Sequence, residues 1–131
     1  MFSQTALDHI SSPRNAGRLD TFTHYGCGGV PGDGPYVELW FQVEGSRVIR
    51  AGQESNGCPS TMACASYIST ISINREVESI QKFSSADLIL LLGGLPPGKE
   101  KSAELAVEAL INAVQPSGGY QMKTDCVPHR G

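Results

Sequence analysis

Four cysteines, three histidines and a set of acidic side chains are the groups in this 131-residue chain that could carry chemistry. Cys58 stands apart among them. It sits in NGCPSTMACAS, residues 56–66, directly before Pro59. Proline lacks a backbone N–H and favours the first position of a helix. It also pushes the preceding residue out of the α region, which is the geometry a helix N-cap needs. Cys58 therefore reads as the N-cap of a helix over 59–71. Its sulfur would face the amides of Ser60 and Thr61 and the positive end of the helix dipole. Such a position favours the thiolate, the form that attacks and that binds metal. The plain alternative is a buried cysteine in an ordinary turn.

Cys64 reads differently. Six residues of helix give a rise of about 9 Å and a rotation of about 240°, so Cys64 cannot easily share a ligand site with Cys58. In an Ala/Ser-rich helix it is a small packing residue. No pair of cysteines shows C-x-x-C spacing, which leaves out a zinc finger and a thioredoxin-like motif. The glycine-rich loop GCGGVPGDGP, residues 26–35, is not followed by G-K-[ST] and is no phosphate cradle.

The elements that must position Cys58 follow from periodicity. Ser3–Ile10 forms a short helix with Ser3 as N-cap, broken by Pro13 and Gly17. Residues 26–35 hold five glycines and two prolines and read as a constrained loop. Val37, Leu39, Phe41 and Val43 alternate with Glu38, Trp40 and Gln42, marking a strand with one dry face. EGS at 44–46 is a turn, and Val48–Gln53 returns. Helices follow at 59–71, from Ser84 with Asp87 as a capping-box partner, and at Ser102–Val114, whose Leu105, Ala106, Ala109, Leu110, Ala113 and Val114 form an apolar stripe. Strands followed by helices give an α+β domain, a small antiparallel sheet of about three strands packed against several helices. The domain is expected over residues 1–119, with 120–131 a flexible tail.

Bulk properties narrow the function classes. The net charge of −3 argues against nucleic acid as the main partner. No apolar run approaches the roughly 18 residues that span a bilayer. MFSQTALDH lacks a secretory pattern, so a cytoplasmic location with reduced thiols is expected.

Four segments in order resemble the IscU/NifU-type iron–sulfur cluster scaffold family over about residues 2–115. LDHISSPRNAGRL resembles its opening segment, VPGDGPYVELWFQVEGSRV its first cysteine loop and strand hairpin, and NGCPSTMACAS its second cysteine loop. LLGGLPPGKEKSAELAVEAL is similar to its L-G-G-L-P-P-x-K segment and following helix. The resemblance implies a scaffold or carrier, not an enzyme. Such a protein receives sulfur from a cysteine desulfurase, builds a cluster with iron and passes it on. Its second cysteine falls on Cys58. Its first cysteine falls on Asp33, its aspartate on Pro35, its histidine on Lys101 and its third cysteine on Ser102.

The implied cofactor is an iron–sulfur cluster, [2Fe–2S] by type, or an iron or zinc ion, with Cys58 and Asp33 as donors. Cys27 is the replacement ligand if its loop folds back. Ser102 has an alternative reading as a helix N-cap. Cys126 lies on the tail and could reach the site, though nothing fixes it there; His24 and His129 are candidate ligands by residue type only, and His9 is structural. Leu95, Pro96, Pro97 and Lys99 are similar to the family's recognition motif for a DnaK-type chaperone. A homodimer sharing one cluster would supply two Cys58 thiolates. Two other readings stand beside the scaffold: a relative without a cluster that partners a desulfurase or chaperone, and a single-cysteine persulfide acceptor. A cysteine hydrolase or transferase would need a base beside Cys58, and no histidine is obviously placed to serve.

Overall fold

The computed structural model describes residues 2–114. The elements run α1 (Gln4–Ser11), β1 (His24–Gly29), β2 (Tyr36–Glu44), β3 (Arg47–Asn56), α2 (Pro59–Ser72), α3 (Val77–Ile80), α4 (Ser85–Leu92) and α5 (Glu100–Val114). The three strands form one antiparallel sheet in the order β1-β2-β3. The expected α+β class, three-stranded sheet and helical second half are all present. The expected tail, 120–131, lies outside the described residues, as do Cys126 and His129.

Local chemistry sets most boundaries. The Ser3 side chain caps α1 by accepting from the Ala6 amide at 3.1 Å. Ser84 and Asp87 close a reciprocal capping box on α4. Helix α3 lies between the two longer helical patterns and was not expected; its single turn is too short to show periodicity.

The glycine-rich loop is the main correction. Its first part is strand β1, paired His24↔Phe41 through Gly29↔Tyr36. Gly26 and Gly28 are there because α5 crosses the sheet without room for side chains. A Cβ on Gly28 would run into the Leu105 carbonyl oxygen, and one on Gly26 into the backbone at Ala109 and Ala113. This contact also sets a register. Gly26 lies against the later part of α5 and Gly28 against Leu105, so the helix start reaches the Gly29–Tyr36 end of the sheet.

Val37, Leu39 and Phe41 pack into the core with Ala63, Cys64, Ile68, Leu88 and Leu110. The opposite face of β2 was expected to be wet. Glu38 and Trp40 are buried there instead. Tyr25 donates to Glu38 Oε2 at 2.8 Å, and Tyr25, Cys27 and Trp40 form a second cluster with Leu19 and Phe22 against it.

The segment between α1 and β1 ties α2 to the sheet. The Arg14 amide donates to Ser66 Oγ at 2.8 Å, Asn15 Nδ2 to Ser69 Oγ at 3.0 Å, and Gln53 Nε2 to the Arg14 carbonyl at 3.0 Å. His9 is 6% exposed, holds Ser66 Oγ at 2.7 Å and stands edge-on to Tyr67. It is structural, as expected. Together these contacts anchor the helix that begins directly after Cys58.

Candidate functional site

Asn56 ends β3 opposite Tyr36, and α2 begins three residues later. Cys58 therefore emerges at the same sheet end that the start of α5 reaches. It is the N-cap of α2, in extended conformation at φ −86° and ψ 175°, with proline following. The Thr61 and Met62 amides donate to its carbonyl at 2.9 and 3.2 Å. No capping hydrogen bond to the sulfur forms; the Ser60 and Thr61 amides act on it as nearby dipoles.

Two hydroxyls complete the surroundings of the sulfur. Cys58 Sγ lies 3.9 Å from Thr61 Oγ1 and 3.9 Å from Ser102 Oγ, and the two oxygens are 3.1 Å apart. Thr61 is 2% exposed and Ser102 5%. Burial, the largest single influence, pushes the Cys58 thiol up. The Thr61 and Ser60 amides and the Thr61 and Ser102 hydroxyls together outweigh it and lower the thiol from 9.0 to about 7. Half of the thiol is then ionised near neutral pH, ready to attack or to bind metal. Cys64 is fully buried, and burial raises it to about 12. It is a packing residue, as expected.

These groups line an open cavity of about 280 Å³, together with Pro35, Lys99, Lys101 and Leu105. The resemblance assigned Pro35, Cys58, Lys101 and Ser102 to family site positions, and all four meet here. Asp33 does not line the cavity with them. It is exposed in the turn where its amide donates to the Val30 carbonyl at 2.9 Å, two residues before Pro35. Ser102 is not the N-cap of α5. It lies inside the first turn, its amide donating to the Lys99 carbonyl at 3.1 Å and its side chain turned inward.

A family model described as "NifU-like N terminal domain" matches residues 1–127. The chain belongs to this family. A relative from Archaeoglobus fulgidus, the iron–sulfur cluster assembly scaffold protein IscU 1, is 27% identical over 114 residues; the alignment covers 87% of this chain and 74% of that protein. The iron sulfur cluster assembly protein 1, mitochondrial, of Schizosaccharomyces pombe is 31% identical over 119 residues, covering 88% and 62%. The fold is similar to that of a putative iron–sulfur cluster assembly scaffold protein for the SUF system from Fervidobacterium islandicum. The TM-score is 0.68 at 16% identity, over 87% of this chain and 96% of that one.

Against the family's cysteine pattern, this member presents one thiol at the pocket. The structure does not bring Cys27 to it. Alternation along β1 turns Gly26 and Gly28 toward α5, so Cys27 points to the other face, into the cluster with Tyr25 and Trp40. Cys27 is also disulfide-bonded, unlike Cys58 and Cys64, which are free. His24 lies at the far end of β1 beside Thr23. Among the described residues no group of three or more His, Cys, Asp or Glu side chains is placed to hold a metal ion.

The Thr61 hydroxyl was missed by sequence reasoning, which named only its amide. Its position three residues after the N-cap is the place from which a polar side chain reaches back to the cap, and that signal could have found it.

Proposed function

We propose that this chain is an iron–sulfur cluster assembly scaffold or carrier with an altered donor set, a transfer protein and not an enzyme. Family membership and relatives named as scaffolds support the class. The observation that carries it to this chain is the activated Cys58 sulfur, 3.9 Å from Ser102 Oγ at the junction of α2 and α5.

The first step is sulfur acceptance. The Cys58 thiolate attacks the outer sulfur of a cysteine desulfurase persulfide, forming a new S–S bond. The desulfurase sulfur leaves as thiolate, so no external oxidant or reductant is needed. Iron then binds at the Cys58 sulfur. A [2Fe–2S] cargo takes four donors, mostly thiolates, and a single iron or zinc ion takes a similar number. Asp33 supplies a carboxylate if its turn folds inward by two residues. The other donors come from outside this pocket, and a second copy of the chain in a homodimer is one source. Leu95, Pro96, Pro97 and Lys99 belong to the turn before α5, where the Lys99 amide donates to the Pro96 carbonyl at 3.1 Å. Pro97 and Lys99 are exposed there, a setting suited to a DnaK-type chaperone. Among the described residues no helix is long and apolar enough to cross a membrane, in keeping with action in the cytoplasm.

The test is anaerobic incubation with a desulfurase and cysteine, followed by mass analysis of the peptide containing Cys58. A persulfide on Cys58 that needs the desulfurase supports the reading; its absence at full desulfurase turnover contradicts it.

A further inference from the structure

The Cys58 cavity is lined by cations in a chain that is acidic as a whole. Two lysines, Lys99 and Lys101, line it, and no carboxylate does. Glu100, between them in sequence, is exposed and is not part of the lining. Neither lysine takes part in an ion pair among the described residues; the pairs formed are Arg14–Asp8 and Arg47–Glu76. The chain as a whole is acidic, at −3. Two cations on one wall of a cavity with no carboxylate facing them leave a place where an anionic group is attracted. At about 280 Å³ the space is at the small end for ligand sites. It suits a molecule the size of an amino acid.

From these observations we infer that the cavity binds a small carboxylate-bearing thiol, its carboxylate on Lys99 and Lys101 and its sulfur beside Cys58. This rests on the scaffold reading for its purpose: the bound thiol supplies the second sulfur donor that Ser102 does not. Its thiol proton goes to solvent and its thiolate lone pair goes to iron; no electrons change hands. Thr61 and Ser102, both buried, are partners of the Cys58 sulfur. Lysine fits the carboxylate end as a flexible point charge.

The binding is testable without iron. Iodoacetate places a carboxylate beside the reacting sulfur, as the inferred ligand would, and iodoacetamide is its neutral counterpart. The ratio of their rates at Cys58, read by mass spectrometry of its peptide, is compared with the ratio at cysteine in an unstructured peptide. The cavity should favour iodoacetate by about tenfold at low ionic strength, within the range of electrostatic focusing in clefts. The preference should shrink in 0.5 M salt, vanish in Lys99→Glu/Lys101→Glu and return in Lys99→Arg/Lys101→Arg. A ratio equal to the peptide's, or one unchanged by the glutamate substitutions, overturns the inference and leaves the scaffold reading untouched.

A second readout follows ferrous iron retained after anaerobic desalting, with 3-mercaptopropionate or 2-mercaptoethanol present. Greater retention with 3-mercaptopropionate in the wild type, lost in Lys99→Glu/Lys101→Glu, supports the donor role. Equal retention with both thiols, or retention in a dimer with no added thiol, overturns that role. Iron retained under no condition, with the iodoacetate preference intact, overturns the scaffold reading and leaves the anion-binding cavity standing.

Discussion

Ser102 Oγ lies 3.9 Å from Cys58 Sγ, although 44 positions separate the two residues in the chain. Two thiolates on one tetrahedral centre with bonds of about 2.3 Å stand roughly 3.8 Å apart. The pair therefore has the spacing of one edge of a metal's ligand tetrahedron, with a hydroxyl at one corner. Ser102→Cys should raise the iron retained after anaerobic loading without added thiol. Ser102→Ala should not raise it. Equal iron in all three proteins would show that this edge does not face the metal.

Cys58 should react with iodoacetamide along a pH curve with its midpoint at about 7, while Cys64, fully buried, stays silent at neutral pH. Removing one hydroxyl, in Thr61→Val or Ser102→Ala, costs the thiolate a hydrogen bond of about 0.5–1.5 kcal/mol. At roughly 1.4 kcal/mol per pH unit, the midpoint should rise by about half a unit to one unit. An unmoved midpoint in both variants would assign the activation to the helix start alone.

Gly28→Ala should destabilise the fold by about 1–3 kcal/mol or more, since the added methyl meets the backbone of Leu105 and overpacking costs on that scale. Denaturant unfolding measures it. The displaced α5 start should also slow alkylation of Cys58, because Ser102 moves with the helix. A stable variant with unchanged reactivity would contradict the register argument.

Much of this was legible in sequence. Alternation in 37–43, the Ser3 and Ser84 caps and the cysteine–proline pair gave elements whose signals are local. Strand β1 was not legible, because Gly26 and Gly28 carry no strand preference; their reason lies in a helix some 80 residues further along. The burial of Glu38 and Trp40 on the second sheet face also depends on a distant segment, around Leu19 and Phe22. Within the pocket, Cys58 was readable from its neighbours. Thr61 could be found from its place three residues after the cap, whereas Ser102 and the paired lysines come to the pocket only when α5 docks.

Ser66→Ala should cost about 1–3 kcal/mol, because the Arg14 amide loses its acceptor and His9 its partner. His9 titrates lower than usual, mainly through burial, then through the Arg14 charge, against an opposing pull from Asp8. A lowered histidine binds its proton more readily when unfolded. Its contribution is complete above the ordinary value of 6.5 and is lost as pH falls below it. Urea unfolding at pH 7.5 and 5.5 should show a smaller acid loss in His9→Gln than in the wild type. Equal losses would remove His9 from the acid response.

The central claim is that Cys58 receives the sulfur and holds the iron. Its most direct test is anaerobic reconstitution with ferrous iron, cysteine and a desulfurase, followed by desalting and assay of protein-bound iron and sulfide. The wild type should retain both, and Cys58→Ala should retain neither, with its fold intact by circular dichroism. Iron and sulfide held equally well by Cys58→Ala would contradict the account.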